Sequence, residues 1–371
     1  MTPVELSRTV LHAVRRAVDA GDLAVDLHGL PDLPRRVSVA PPGPGGHGDY
    51  ATNVALQLAR PAGQPPLRVA EVLRPHLVHA AGIRDVEITG PGFLNIRLDR
   101  GTGSGLVQRV LTEGPQYGYS DLLAGRVFVL RVPYDVRAEV LADSLSRIVA
   151  SQGGRVEVQH EESVTSSTSS PQARPLSVAD GTLVLRPLPA PEDPTPLGLD
   201  AARWALLHPA PHDRPRISAD HLVQRESNSL FRVRYAYART RAVHRNAADL
   251  GFAPQPERSP QSTADADAPA NADLDTLPET PLLRLLADHP RLLSSVVPVD
   301  ATRPDPGTPS RLTRHLVTLA DAVIPFLPTV LPRGAEKPSA AHRARLALAD
   351  AVGAVLAGGL SLLGIDAPDH L

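Results

Sequence analysis

The chain has 371 residues, 42% hydrophobic, a formal net charge of −2 and a pI near 6.7; it is long enough for two or three packed domains, and any basic surface must be local. Aromatics make up 3% and there are no cysteines, so the cores must be mostly Leu, Val and Ala, and disulfides, thiolate zinc sites and a cysteine nucleophile are excluded together. Lys337 is the only lysine, which excludes a GxxxxGK[ST] phosphate loop.

The first hundred residues read as a compact α+β unit. Val4–Ala20 has helical spacing, with Leu6, Val10, Ala13, Val14 and Ala17 on one face. Glu5, Arg8, Arg15, Arg16 and Asp19 break the apolar run that a secretory leader needs. VSVAPPGPGGHGDY reads as a strand and a Pro/Gly loop. ATNVALQLARPAG is expected to be a helix stopped at Pro61–Gly63, with Asp49 as its cap, Tyr50 packed on it and Asn53 structural. PLRVAEVLRPHLVHA is another helix. Val86–Ile88 and Phe93–Leu98 are short strands joined by the Gly90–Gly92 turn. Alternation puts Phe93 and Asn95 on one strand face, so both should share one exposure.

The middle reads as strand (GRVFVLRV), helix (RAEVLADSLSRIVASQG), strand (RVEVQ), and a further strand at TLVLRPL. The low-complexity EESVTSSTSSPQAR between them is expected to be mobile. From about Leu199 onward every segment has helical spacing: AARWALLHP, ISADHLVQRESNSLFRVRYAYARTRAVHRNAADLG, ETPLLRLLADHPRLLSSVV, SRLTRHLVTLADAVIPFLPTVL and AAHRARLALADAVGAVLAGGLSLLG. Pro325 and Pro328 should kink or end the fourth of these. The run AVGAVLAGGLSLLGI is shorter than the ~18 residues of a membrane span. A soluble cytoplasmic protein with no membrane contact is the expectation.

LFRVRYAYARTRAVHR (230–245) places Phe231, Tyr235 and Tyr237 among Arg232, Arg234, Arg239, Arg241 and Arg245. A nucleic-acid face and a half-buried helix with a solvated arginine comb both fit that composition. Helical geometry gives Val233, Ala236, Tyr237, Thr240 and Val243/His244 as the inner stripe. The 14 histidines, His76 and His79 included, show no ligand set, so no metal is expected.

GDYATNVALQLAR followed by VEITGPGFLNIRL resembles the N-terminal tRNA-binding domain of arginyl-tRNA synthetases. LGLDAARWALLHPAP, SNSLFRVRYAYARTRAV, PETPLLRLLADHP and LSLLGIDAPDHL resemble the same enzymes' helical DALR anticodon-binding domain. The order is the family's. The resemblance implies an N-terminal tRNA D-loop-binding domain over 1–100, a shrunken catalytic remnant over 101–198 with a mobile linker near 161–180, and an anticodon-binding bundle over 199–371 with a disordered insert near 253–278. The fold classes are α+β, a reduced Rossmann-type α/β middle and an all-α bundle. RNA contact by resemblance falls to Phe93 and Asn95 for the D-loop, and to Phe231, Tyr235, Arg239 and the last residue, Leu371, for the anticodon loop.

The centre departs from the family. No HxGH occurs, and APEDPTPLG stands where KMSK would precede the DAARW-like segment. Adenylation needs cationic and helix-terminal stabilisation of developing phosphate charge. The chain is therefore expected to bind tRNA, arginine tRNA by the family's habit, without a catalytic residue or a cofactor. Another synthetase or translation protein is an expected partner. Two alternatives stand beside it: an arginine–tRNA ligase using ATP and arginine in a divergent way or with a partner chain, and a protein-interaction scaffold.

Overall fold

A computed structural model describes residues 1–25, 37, 39–43, 47–99, 102–160, 182–256, 279–298 and 301–371. Its contacts divide into two compact units, Met1–Gln108 and the described residues from Arg109 to Leu371. The expected mobile linker and nearly all of the expected disordered insert lie outside the described residues.

The first unit opens with α1 (Pro3–Asp19), started by a reciprocal cap. Thr2 Oγ1 accepts from Glu5 N at 3.3 Å, and Glu5 Oε2 accepts from Thr2 N at 2.7 Å. The expected stripe Leu6, Val10, Ala13, Val14 and Ala17 is buried. Strands β1 (Val39–Ala40), β2 (Tyr50–Thr52), β3 (Ile83–Thr89) and β4 (Phe93–Leu98) form an antiparallel sheet in the order β1-β2-β4-β3. Helices α2 (Val54–Ala59) and α3 (Pro66–Val78) complete the unit, and one apolar core joins α1, α2, α3 and the sheet.

Two expectations fail here for one reason. The helix expected from Ala51 begins only at Val54, because Tyr50–Thr52 is paired on both sides, to β1 and to β4. That ladder is long-range, and helical spacing in the sequence does not register it. Asp49 then does not cap a helix. Its Oδ2 accepts from Leu98 N at 2.9 Å, tying the start of β2 to the end of β4. Tyr50 is buried, and Asn53 Oδ1 accepts from Gln57 Nε2 at 2.9 Å, both structural as expected.

Helix α4 (Thr102–Glu113) lies where no element was expected; glycines at 103 and 105 hide its stripe of Leu106, Val107 and Val110. In the second unit β5 (Val127–Val132) is the central strand of a small parallel sheet, β6-β5-β7, with β6 at Arg155–His160 and β7 at Thr182–Val184. Helix α5 (Val136–Ser151) makes the β5-to-β6 crossover and is capped by Asp135, whose Oδ1 accepts from Ala138 N at 3.0 Å. Phe128, Leu130 and Val132 are buried, as expected for this strand.

The rest of the unit is helical: α6 (Gly198–Leu207), α7 (Ser229–Asp249), α8 (Thr280–Ser294), α9 (Thr308–Val323) and α10 (Ala340–Leu362). The helix expected from Ile217 begins only at Ser229. Asn228 is the reason: Oδ1 accepts from the amides of Leu230 and Phe231, while Nδ2 donates to the carbonyls of His221 and Val223. It thus caps α7 and holds the 3₁₀ turn Ala219–Leu222 before it. Pro325 and Pro328 end rather than kink α9, which stops at Val323 and is followed by a 3₁₀ turn with Phe326 buried.

By length and composition α10 could cross a membrane, longer than the apolar run alone suggested. In the fold it is largely buried, with α7, α8 and α9 all packed against it. Gly358 sets one approach, since a Cβ there would stand 2.2 Å from the Pro115 carbonyl oxygen. Gly358→Val should cost about 1–3 kcal/mol through overpacking. Thermal unfolding checks this, and an unchanged midpoint would show that the approach is not tight.

Candidate nucleic-acid interface

Helix α7 is long because Asn228 starts it well and it contains neither Gly nor Pro. Leu230, Val233, Ala236, Ala238, Thr240, Val243 and Ala247 are buried. Tyr237 and His244, expected inside, are half-buried. The Tyr237 hydroxyl donates to Asp369 Oδ1 at 2.8 Å, and His244 Nδ1 lies 2.8 Å from Asp350 Oδ2. Burial first, and then the bond to Asp369, pushes the Tyr237 phenol up.

The outward residues form two ridges. Phe231, Tyr235 and Arg239 are spaced by four and make the first. The rings of Phe231 and Tyr235 stack at 5.6 Å between centroids, Tyr235 is 39% exposed, and Arg239 is exposed. Arg239 has no polar partner among the described residues. A stacked aromatic pair, Tyr235 exposed and Phe231 half-buried, with a free guanidinium one turn on suits a nucleobase and its phosphate.

The other arginines of this stretch are engaged. Arg232 Nη1 reaches both carboxylate oxygens of Asp321 at 2.8 Å. Arg234 pairs with Asp200, and its Nε donates to the Asp366 carbonyl at 3.0 Å. Arg241 Nε is 3.5 Å from Asp369 Oδ1, and Arg245 Nη2 is 3.4 Å from His370 Nδ1. The comb is thus largely neutralised by carboxylates from elsewhere in the same unit, consistent with a chain of near-zero net charge.

Beside the first ridge is a pocket of roughly 320 Å³ that the sequence did not disclose. Its wall includes Leu199, Leu222, Phe231 and Leu371, with the Arg234–Asp200 pair at the polar side. Leu199 is 75%, Leu222 54% and Leu371 53% exposed. Two of the residues marked by resemblance, Phe231 and Leu371, therefore line one cavity although they are far apart in sequence. Leu199 and Leu222 could have been noticed only as large apolar residues outside the helical stripes.

In the first unit, Phe93 follows the Gly90–Gly92 turn and is 40% exposed. Asn95 is corrected. It is 2% exposed, and its Nδ2 donates to Thr89 Oγ1 at 2.8 Å. The two do share a strand face, but β4 is flanked along its middle by β2 and β3, at Ala51 and Glu87 opposite Asn95. Phe93 lies at the strand end. Position along the strand decides exposure here, and the buried amide of Asn95 has no edge open to a base. Among the described residues no group of three or more His, Asp or Glu side chains is placed to hold a metal ion.

Residues 5–98 match the family described as arginyl tRNA synthetase N terminal domain, and residues 233–371 match the DALR anticodon binding domain. Curated relatives include the arginine–tRNA ligase of Renibacterium salmoninarum, 39% identical over 166 residues, and that of Paenarthrobacter aurescens, 37% identical over 170. The matches cover 42% and 43% of this chain and 30% of either relative. Among solved structures, the arginyl-tRNA synthetase of Thermus thermophilus aligns with a TM-score of 0.63 at 13% identity, covering 100% of both chains. That of Plasmodium falciparum aligns with a TM-score of 0.62 at 9% identity, covering 100% of this chain and 99% of its own. These structures share the fold. The chain is an arginyl-tRNA synthetase-like protein, with that family's N-terminal domain at one end and its DALR domain at the other.

Proposed function

We propose that this protein binds tRNA, arginine tRNA above others, and does not itself charge it. One observation carries the binding half: the open Phe231–Tyr235–Arg239 ridge beside the Leu371 pocket, on the helix of a DALR bundle. Single-stranded loops are recognised by stacking splayed bases on aromatics and seating their phosphates on guanidinium groups. The ridge offers the first, Arg239 the second, and the pocket has room for an unstacked base. Phe93 offers a further stacking surface in the N-terminal unit. The non-catalytic half rests on the sequence between the two family domains, which carries neither HxGH nor a lysine.

Binding of total tRNA, followed by fluorescence anisotropy, should weaken steeply between about 50 and 200 mM salt. Phe231→Ala with Tyr235→Ala should lose about tenfold or more in affinity, since a base–aromatic stack contributes about 1–3 kcal/mol. Arg239→Ala should flatten the logarithmic salt slope by about 0.7. A chain that shifts no tRNA at low salt is the scaffold instead. Arginine-dependent ATP–pyrophosphate exchange with tRNA present would overturn the non-catalytic half. It would favour the ligase reading, which the names of the relatives and the small parallel sheet support and which would take ATP and arginine as substrates.

A further inference from the structure

The second outward ridge of α7, Arg234, Tyr237, Arg241 and Arg245, is covered by the segment Asp366–Leu371. The path to it is built locally. Gly364 has a φ of +69°, a left-handed conformation that turns the chain back at the end of α10. Gly364 N bonds to the Ser361 carbonyl and Ile365 N to the Leu360 carbonyl, both at 2.9 Å. Ile365 is buried, and Arg203 Nε holds the Leu363 carbonyl at 2.8 Å. From that anchor the segment Asp366–Leu371 lies along α7. It gives its Asp366 carbonyl to Arg234, Asp369 to Tyr237 and Arg241, and His370 to Arg245.

We propose that the Asp369 and His370 side chains of this segment are a built-in competitor for polyanions on the arginine face of α7. This rests on the tRNA-binding reading above. With the tail seated, an RNA strand on the open ridge meets one uncommitted guanidinium of this stretch, Arg239. With the Asp369 and His370 side chains turned off α7, Leu371 staying in the pocket wall, it also meets Arg241 and Arg245, whereas Arg232 and Arg234 keep Asp321 and Asp200. The tail's contacts are exposed and individually weak, so a strand carrying several phosphates can replace them. Charge chemistry names the competitor: Asp369 offers one carboxylate oxygen to both a phenol and a guanidinium, as a phosphate oxygen would.

Asp369→Asn tests this, with Asp366→Asn as a control of equal charge change, because Asp366 engages α7 through its backbone carbonyl. Binding of an anticodon stem-loop RNA would be measured for the unchanged chain and both variants across a salt series. Asp369→Asn should tighten binding by about two- to fivefold and steepen the logarithmic salt slope by about 0.7. Asp366→Asn should leave the slope unchanged. If the unchanged chain binds and the two variants behave alike, the tail is not a competitor and the tRNA reading survives. Binding by Asp369→Asn alone supports the proposal in its strongest form. If no chain binds, both readings fall.

Discussion

Arg137→Leu should destabilise the second unit by about 2–4 kcal/mol, because several buried carbonyls lose a charged donor and an orphaned buried acceptor costs about 1–3 kcal/mol. Arg137 is 1% exposed, and its guanidinium faces backbone carbonyls almost alone. Nε donates to Leu206 at 3.1 Å, Nη1 to Leu188 at 2.6 Å and Asp213 at 2.8 Å, and Nη2 to Ala210 at 2.8 Å. Longer bonds reach Pro209 and Pro211. Those prolines remove two amide donors from the loop after α6, and Arg137 supplies donors to the carbonyls gathered there. Burial lowers its pKa, and Asp135 and Asp213 oppose the shift. Urea unfolding followed by Trp204 fluorescence reads the effect, because Trp204 is the only tryptophan and lies on α6, whose Leu206 carbonyl Arg137 grips. Arg137→Lys should fall between, since an ammonium has three donors and no fork. A leucine variant within about 1 kcal/mol of the unchanged chain, less than one charged hydrogen bond contributes, would show that the carbonyl cage does not hold this loop.

The second unit should also lose stability as the pH falls from about 6.5 toward about 4. His289 on α8 and His315 on α9 stack at 5.4 Å, with Tyr117 against His289 at 6.1 Å. His289 Nδ1 and His315 Nε2 are buried without hydrogen-bond partners among the described residues. Burial holds His289 well below its ordinary value, with His315 adding to the shift. Burial also lowers His315 to about 4, with Asp288 opposing the shift and Arg291 reinforcing it. The unfolded chain therefore binds protons near 6.5 that the folded chain refuses. Stability is full above the unfolded value and declines until the folded value is reached. For His315 alone this amounts to about 3 kcal/mol across the window. Stability curves for the unchanged chain and for His289→Phe with His315→Phe should diverge in slope between these pH values and run parallel above 7. Parallel curves throughout would mean the histidines already carry protons in the fold.

Much of the architecture was legible because it is periodic. The α1 stripe from Leu6 to Ala17, the strands at Val127 and Phe93, and the bundle helices α8 to α10 follow from apolar spacing and from Pro and Gly stops. What periodicity cannot carry is pairing between distant segments. Tyr50–Thr52 became a strand because β1 and β4 offered it partners, and Asp49 became a strand tie for the same cause. In the candidate interface, the stacked Phe231–Tyr235 pair and the open Arg239 lie on residues that composition and resemblance had singled out. Asn95 could not be placed correctly, because alternation fixes a face and not its depth beneath neighbouring strands. Arg137 gave no signal, since an arginine near a helix start reads as solvated until a proline loop closes over it.

By itself the sequence determined the periodic elements, the absence of thiol and lysine-loop chemistry, and a concentration of arginine and aromatics on one helix. Only the tertiary structure decided which of those arginines are available. Arg232, Arg234, Arg241 and Arg245 are paired through Asp321, Asp200, Asp366, Asp369 and His370, while Arg239 stands open. The physical reason is that composition counts charges, and binding depends on which of them the fold has already neutralised.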